Sequence, residues 1–121
     1  MEKEFIPYEQ ALALKKLKFN EPCFSIYYSK NKSFSWHHHK DHTNDETMLD
    51  NGEFNISAPL YQQAFRWFRE KHGLGHMING IGFETFIMNI GGIIEVFPMF
   101  KTYEEAELAC LNKLIELIKT K

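Results

Sequence analysis

The amino-acid sequence predicts an α+β fold, in the order helix, hairpin, helix, hairpin, helix, with an antiparallel sheet of about four strands covered by the helices. Three observations carry that expectation. Apolar side chains recur at helical spacing in three stretches, near 7–19, 58–71 and 103–119. Apolar and polar residues alternate over 23–28 and again over 33–36. Two β-rich runs flank Gly91-Gly92, a pair suited to a tight hairpin turn. A chain of 121 residues, 44% hydrophobic and 25% charged, is the size and composition of a single domain spanning 1–121.

The first helix is expected to start at Pro7, whose missing N–H costs nothing in a first turn. Ala11, Leu14 and Leu17 form its apolar line, and Lys15, Lys16 and Lys18 suit its negative end. Asn20-Glu21-Pro22 is read as the stop. Cys23 to Tyr28 reads as a strand, Ser29 to Lys32 as a turn, and Ser33 to Trp36 as the returning strand. Residues 37–53 are polar and without period, a long loop.

A second helix is placed from Ser57-Ala58-Pro59, with Ser57 as cap. Leu60, Tyr61, Ala64, Phe65, Trp67 and Phe68 make its aromatic stripe. Gly73 and Gly75 break it. The Phe83–Phe100 hairpin is expected to turn at Gly91-Gly92, pairing Ile90 with Ile93, Ile87 with Val96 and Phe86 with Phe97. Apolar groups on both of its faces point to a central, covered position, while Pro98, which lacks a donor, belongs at a strand end or an edge. The third helix runs from Tyr103 to about Lys119. Thr102 and Glu105 have the spacing of a capping box.

Fourteen Lys and Arg against sixteen Asp and Glu give a net charge of −2, which disfavours binding nucleic acid by bulk charge. Cys23 and Cys110 form no CxxC pair and read as reduced, buried thiols of a cytoplasmic protein. The N-terminal residues lack a basic region followed by an apolar stretch, so no secretion signal is expected, and no apolar run is long enough to span a membrane.

The densest chemistry lies in 36–42. His37, His38, His39 and His42 with Asp41 place four imidazoles and a carboxylate in six residues. His38, Asp41 and His42 could ligate Zn²⁺ or Ni²⁺. The plainer reading is a solvated polar loop, because nothing predicts a helix there and no second shell can be named. His72 and His76 are also four apart, but the intervening glycines remove the helical geometry that would bring them together. Neither Gly73-Leu74-Gly75 nor Gly80-Ile81-Gly82 has the pattern of a phosphate loop. Tyr27, Tyr28, Lys30, Lys32, Phe34, Trp36 and Lys40 could stack and hold single-stranded RNA, or simply be a hairpin with one core face. No catalytic constellation emerges, and the reading is non-enzymatic with no cofactor.

Residues 5–17 (FIPYEQALALKKL), 21–24 (EPCF), 58–71 (APLYQQAFRWFREK) and 101–115 (KTYEEAELACLNKLI) together resemble small proteins carried by phages, prophages and other mobile elements of Bacteroidetes-type bacteria. The resemblance departs at 37–53 and at 73–82. It implies a shared fold and supplies no catalytic residues. It also implies counter-defence: the chain is similar to anti-CRISPR inhibitors of type VI, RNA-targeting effectors, which act by binding a host protein in the bacterial cytoplasm. Trp36, His38, Lys40, Asp41, Arg66 and Arg69 are the candidate partner-binding residues. Glu104, Glu105 and Glu107 could offer an acidic patch to a basic RNA channel. RNA binding, metal binding and a homodimer stand as alternatives.

Overall fold

The computed structural model describes residues 4–23, 25–36, 43–44 and 55–120. Three helices and two antiparallel three-stranded sheets follow one another as α1 (Tyr8–Lys16), β1 (Ser25–Tyr28), β2 (Phe34–Trp36), β3 (Asn55–Ser57), α2 (Tyr61–His72), β4 (Gly75–Ile78), β5 (Thr85–Asn89), β6 (Gly92–Phe97) and α3 (Tyr103–Lys119). The α+β class holds. In place of one sheet of about four strands there are two sheets, ordered β2-β1-β3 and β4-β5-β6. The chain divides into two compact units, Met1–Tyr61 and Gln62–Lys121, with one sheet in each.

In the first unit, Pro7 is extended and caps α1, its carbonyl accepting from the Ala11 N–H at 2.9 Å. The helix ends before the expected Asn20-Glu21-Pro22 stop. Lys18 takes a left-handed φ of 74°, the Phe19 N–H returns to the Leu14 carbonyl (3.0 Å), and the Lys18 N–H returns to the Lys15 carbonyl (3.1 Å). These are the two bonds of a Schellman close, with buried Phe19 and Leu14 as its apolar pair. Glycine normally fills the left-handed position, so a lysine there gave no sequence signal.

Strand β1 is central, pairing Tyr27 with Phe34 of β2 on one side and with Ile56 of β3 on the other. Ser25, Ile26 and Tyr27 are all buried. The Tyr27 ring packs on Phe34 (5.5 Å between centroids) and Tyr8 (5.6 Å), and its hydroxyl donates to the Ile6 carbonyl at 2.7 Å. Strand β3 occupies the place where a helix cap was expected. Ser57 is in its last position, bonded through its N–H to Asn44.

In the second unit, buried Ala64, Phe65, Trp67 and Phe68 confirm the α2 stripe. Gly73, at φ 66°, ends the helix; its N–H and that of Leu74 return to the Arg69 and Phe68 carbonyls (both 3.2 Å). The chain then enters β4 directly, where only turns were expected. Helix α3 lies on β4 and β5 and buries Ala106, Cys110, Leu111, Leu114 and Ile115. The Thr102 hydroxyl accepts from the Glu105 N–H at 3.1 Å, as the cap spacing predicts.

The hairpin register differs from expectation by a shift of the turn. Ile90-Gly91, not Gly91-Gly92, forms the bend. Asn89 Oδ1 accepts the Gly91 N–H at 2.8 Å, and Gly92 opens β6 at φ 127°, a conformation side chains avoid. Phe86 therefore pairs with Val96, Ile87 with Glu95 and Met88 with Ile93, with an irregularity that leaves Ile94 as the extra residue. Strand β6 is an edge strand, correcting the expected central, two-sided burial of this hairpin.

Candidate interaction surface

Side chains alternate across a strand, so the register sorts the second sheet into two faces. Thr85 and Ile87 are buried on the α3 side. Glu95, opposite Ile87, belongs to that side too, because it meets Lys113 of α3 at 3.4 Å. Glu116, also 3.4 Å from Lys113, is the main cause and Glu95 the lesser cause that raise the lysine above its usual pKa. An exposed pair of this kind contributes little to stability but fixes which way β6 faces.

The opposite face carries Met77, Phe86 and Val96 in one row and Gly75, Met88 and Ile93 in the next. No charged residue interrupts these rows. Met77, Ile93 and Val96 are exposed, as are Ile94, Ile90 at the hairpin tip, Ile81 in the β4–β5 connection and Met99 beyond β6; the least exposed of the seven, Ile94, is still 42% accessible. Scattered single apolar residues are ordinary, whereas exposed apolar residues aligned in neighbouring rows of one sheet face make that face the candidate surface. The irregularity at Ile94 disturbs the free edge of β6, which disfavours addition of another strand and leaves the face as the usable surface.

At the hairpin end of this face lies an open groove of about 280 Å³. The α2 terminus contributes Arg69, the residues leading into β4 contribute Gly73, Leu74 and Gly75, and the hairpin contributes Met88, Asn89 and Ile90. Arg69 is its only charged lining group among the described residues. Beside it, His76 stacks on Phe65 with centroids 3.8 Å apart. Burial first, and the Arg69 charge second, lower the His76 pKa to about 4, so the ring is neutral at pH 7.

That shift predicts a pH dependence. The unfolded chain takes up a proton on His76 near pH 6.5 and the folded chain only near pH 4, so stability is intact above 6.5 and falls as pH drops between these values. The loss amounts to about 2 kcal/mol after allowing for partial exposure. Urea unfolding of wild type and His76→Gln at pH 7 and pH 4.5 checks it: the pH-dependent gap between them should close in the variant, and parallel curves would refute the assignment.

Other candidate residues fall as follows. Arg66 and Arg69 are exposed on α2, and only Arg69 lines the groove. Trp36 ends β2, paired with Ser25. His38, Lys40, Asp41 and His42 lie outside the described residues, as do His37 and His39, and with them the proposed metal ligands. Among the described residues no group of three His, Cys, Asp or Glu side chains could hold a metal ion. Of the stacking set, Tyr27 is buried and Phe34 packs on it and on Phe5 (5.1 Å), whereas Lys32 lies 5.2 Å over the Tyr8 ring and 3.2 Å from Glu9. Both cysteines are buried and outside any disulfide, and burial, helped by Glu107, pushes the Cys110 thiol up to about 12. Such a thiol is a core group, not a nucleophile.

Among the described residues no helix is long and apolar enough to cross a membrane. No family model, curated protein or solved structure matches the chain.

Proposed function

We propose that this protein is a non-catalytic binding module that docks onto a partner protein through the uncharged outer face of β4-β5-β6. One observation carries the reading: Met77, Ile93 and Val96 stand exposed on that face, Ile90, Ile81 and Met99 stand exposed at its two ends, and the hairpin end is flanked by an arginine. Interfaces concentrate binding energy in such apolar centres, with arginine among the enriched anchors. The resemblance to mobile-element proteins supports a host defence protein as the partner, an RNA-guided nuclease of the type VI class, bound in the host cytoplasm. The module then acts as an inhibitor by occupying the nuclease and needs no cofactor.

The test is capture of the purified type VI nuclease by the immobilised protein, with and without RNase. Ile93→Asp, at the centre of the face, should weaken capture by 30-fold or more, about 2 kcal/mol or above. Circular dichroism should be unchanged, because Ile93 is already solvated. Equal capture by a folded Ile93→Asp variant would sink the docking face. Capture lost on RNase treatment would move the ligand to RNA.

A further inference from the structure

We propose that the groove at the hairpin end of the second sheet receives an acidic–aliphatic segment of the protein partner, with an Asp or Glu carboxylate on Arg69 and an adjacent branched apolar side chain over Leu74 and Met88. The inference rests on the reading of the outer face as the docking surface and specifies what the partner presents there.

Size comes first. About 280 Å³ is below the usual range for a cofactor-sized ligand and suits one or two side chains. Charge comes second. Among the described residues Arg69 is the sole charged lining group, and no carboxylate among them forms an ion pair with it. A guanidinium presents a planar fork that matches a carboxylate in two parallel hydrogen bonds, and it desolvates more readily than an ammonium. Its charge is felt locally, since it helps keep the His76 ring deprotonated.

The kind of anion follows from the helix. Arg69 sits in the last turn of α2, where the helix end carries partial negative charge. That field tolerates a single negative charge gripped by a guanidinium and opposes a doubly charged phosphate. Apart from Asn89, whose Oδ1 is already taken by the Gly91 N–H, the remaining lining is apolar or glycine, so a polar segment without an aliphatic side chain leaves Met88 uncovered. Met88 and Ile90 belong both to the groove and to the hairpin of the docking sheet, so a partner lying on that sheet reaches the groove without a break.

The probes are acetyl-Leu-Glu-Leu-amide, acetyl-Leu-Gln-Leu-amide and acetyl-Gly-Glu-Gly-amide, titrated into the full chain and followed by amide and arginine Nε–H chemical shifts. Leu-Glu-Leu should saturate shifts at Gly73, Gly75 and Arg69. It should bind about tenfold tighter than either of the others, the factor that one net charge-assisted contact supplies. Arg69→Gln should erase the preference for Glu over Gln, and it should also raise the His76 titration midpoint, a direct sign that the charge has left the groove. Equal binding of the Glu and Gln peptides, equal binding of Gly-Glu-Gly, shifts elsewhere, or no shifts at millimolar peptide would each overturn the proposal. If the peptides fail while Ile93→Asp still abolishes nuclease capture, the docking face stands without this groove. If the peptides succeed while Ile93→Asp captures normally, the groove stands and the face falls.

Discussion

Replacing Phe19 by alanine should cost 3–5 kcal/mol of unfolding free energy, about the cost of emptying a fully buried phenylalanine site. Phe19 is inaccessible to solvent and has two jobs beyond filling space. Its N–H closes α1 on the Leu14 carbonyl, and its carbonyl accepts from Asn44 Nδ2 at 2.9 Å. Alanine keeps both backbone bonds but removes the apolar partner that holds the left-handed Lys18 turn shut. The loss is a large share of the roughly 5–15 kcal/mol that keeps a domain folded. Denaturant titrations of Phe19→Ala and Phe19→Leu decide it: a cost below about 1 kcal/mol for alanine would mean that the site collapses freely and the closure does not depend on the ring.

Asn44→Ala should be nearly as damaging, at about 2–4 kcal/mol, although it removes a polar side chain from a polar stretch. The Asn44 amide bridges two elements. Nδ2 donates to the Phe19 carbonyl, and Oδ1 accepts from the Ser57 N–H of β3 at 2.9 Å. The Asn44 carbonyl also accepts from Lys15 Nζ (3.2 Å), which reaches the Asn55 carbonyl as well (3.4 Å). Truncation takes one partner from the Phe19 carbonyl and one from the Ser57 N–H in part-buried surroundings, and losing both at once unties the turn after α1 from β3. Asn44→Asp separates the two halves of the role: it keeps the acceptor for Ser57 and loses the donor to Phe19, so its cost should fall between wild type and alanine. An alanine variant of unchanged stability would remove Asn44 as the link.

Much of the fold was legible, and the parts that were not share a physical cause. Helix α3 could be read because its cap, acidic first turn and apolar stripe all agree. The α2 stripe could be read because aromatic residues at helical spacing leave little alternative. Strands β3 and β4 were missed because three or four residues are too few for alternation to show, and because Ser57-Ala58-Pro59 imitates a helix cap and Gly75 imitates a turn. Asn44 was invisible, since a tertiary bridge leaves no local pattern. The exposed side of β6 was misread as core: Ile93, Ile94 and Val96 have the composition of a covered strand, and composition alone does not say whether a cover exists. Pro98, which belongs at an edge, was the sequence signal that β6 is not central. Of the candidate site residues, Arg69 was chosen from sequence, but its groove depends on the unexpected strand β4 and on the hairpin shift that places Met88 and Ile90 beside it.

Strand β1 pairs with β2 on one side and β3 on the other, so the connection 37–54 leaves and re-enters the same small sheet. Trp36 is level with Ser25 and Asn55 with Tyr28, so the two ends lie two strand spacings apart across the sheet and three residues apart along it, roughly 14 Å in all. The entropy of closing such a connection grows only with the logarithm of its length, about 0.6 kcal/mol per doubling. A connection of this kind changes length at small cost, provided Asn44 keeps its bonds to Phe19 and Ser57. Length and sequence can therefore vary in the connection while the strands that flank it keep their pairing.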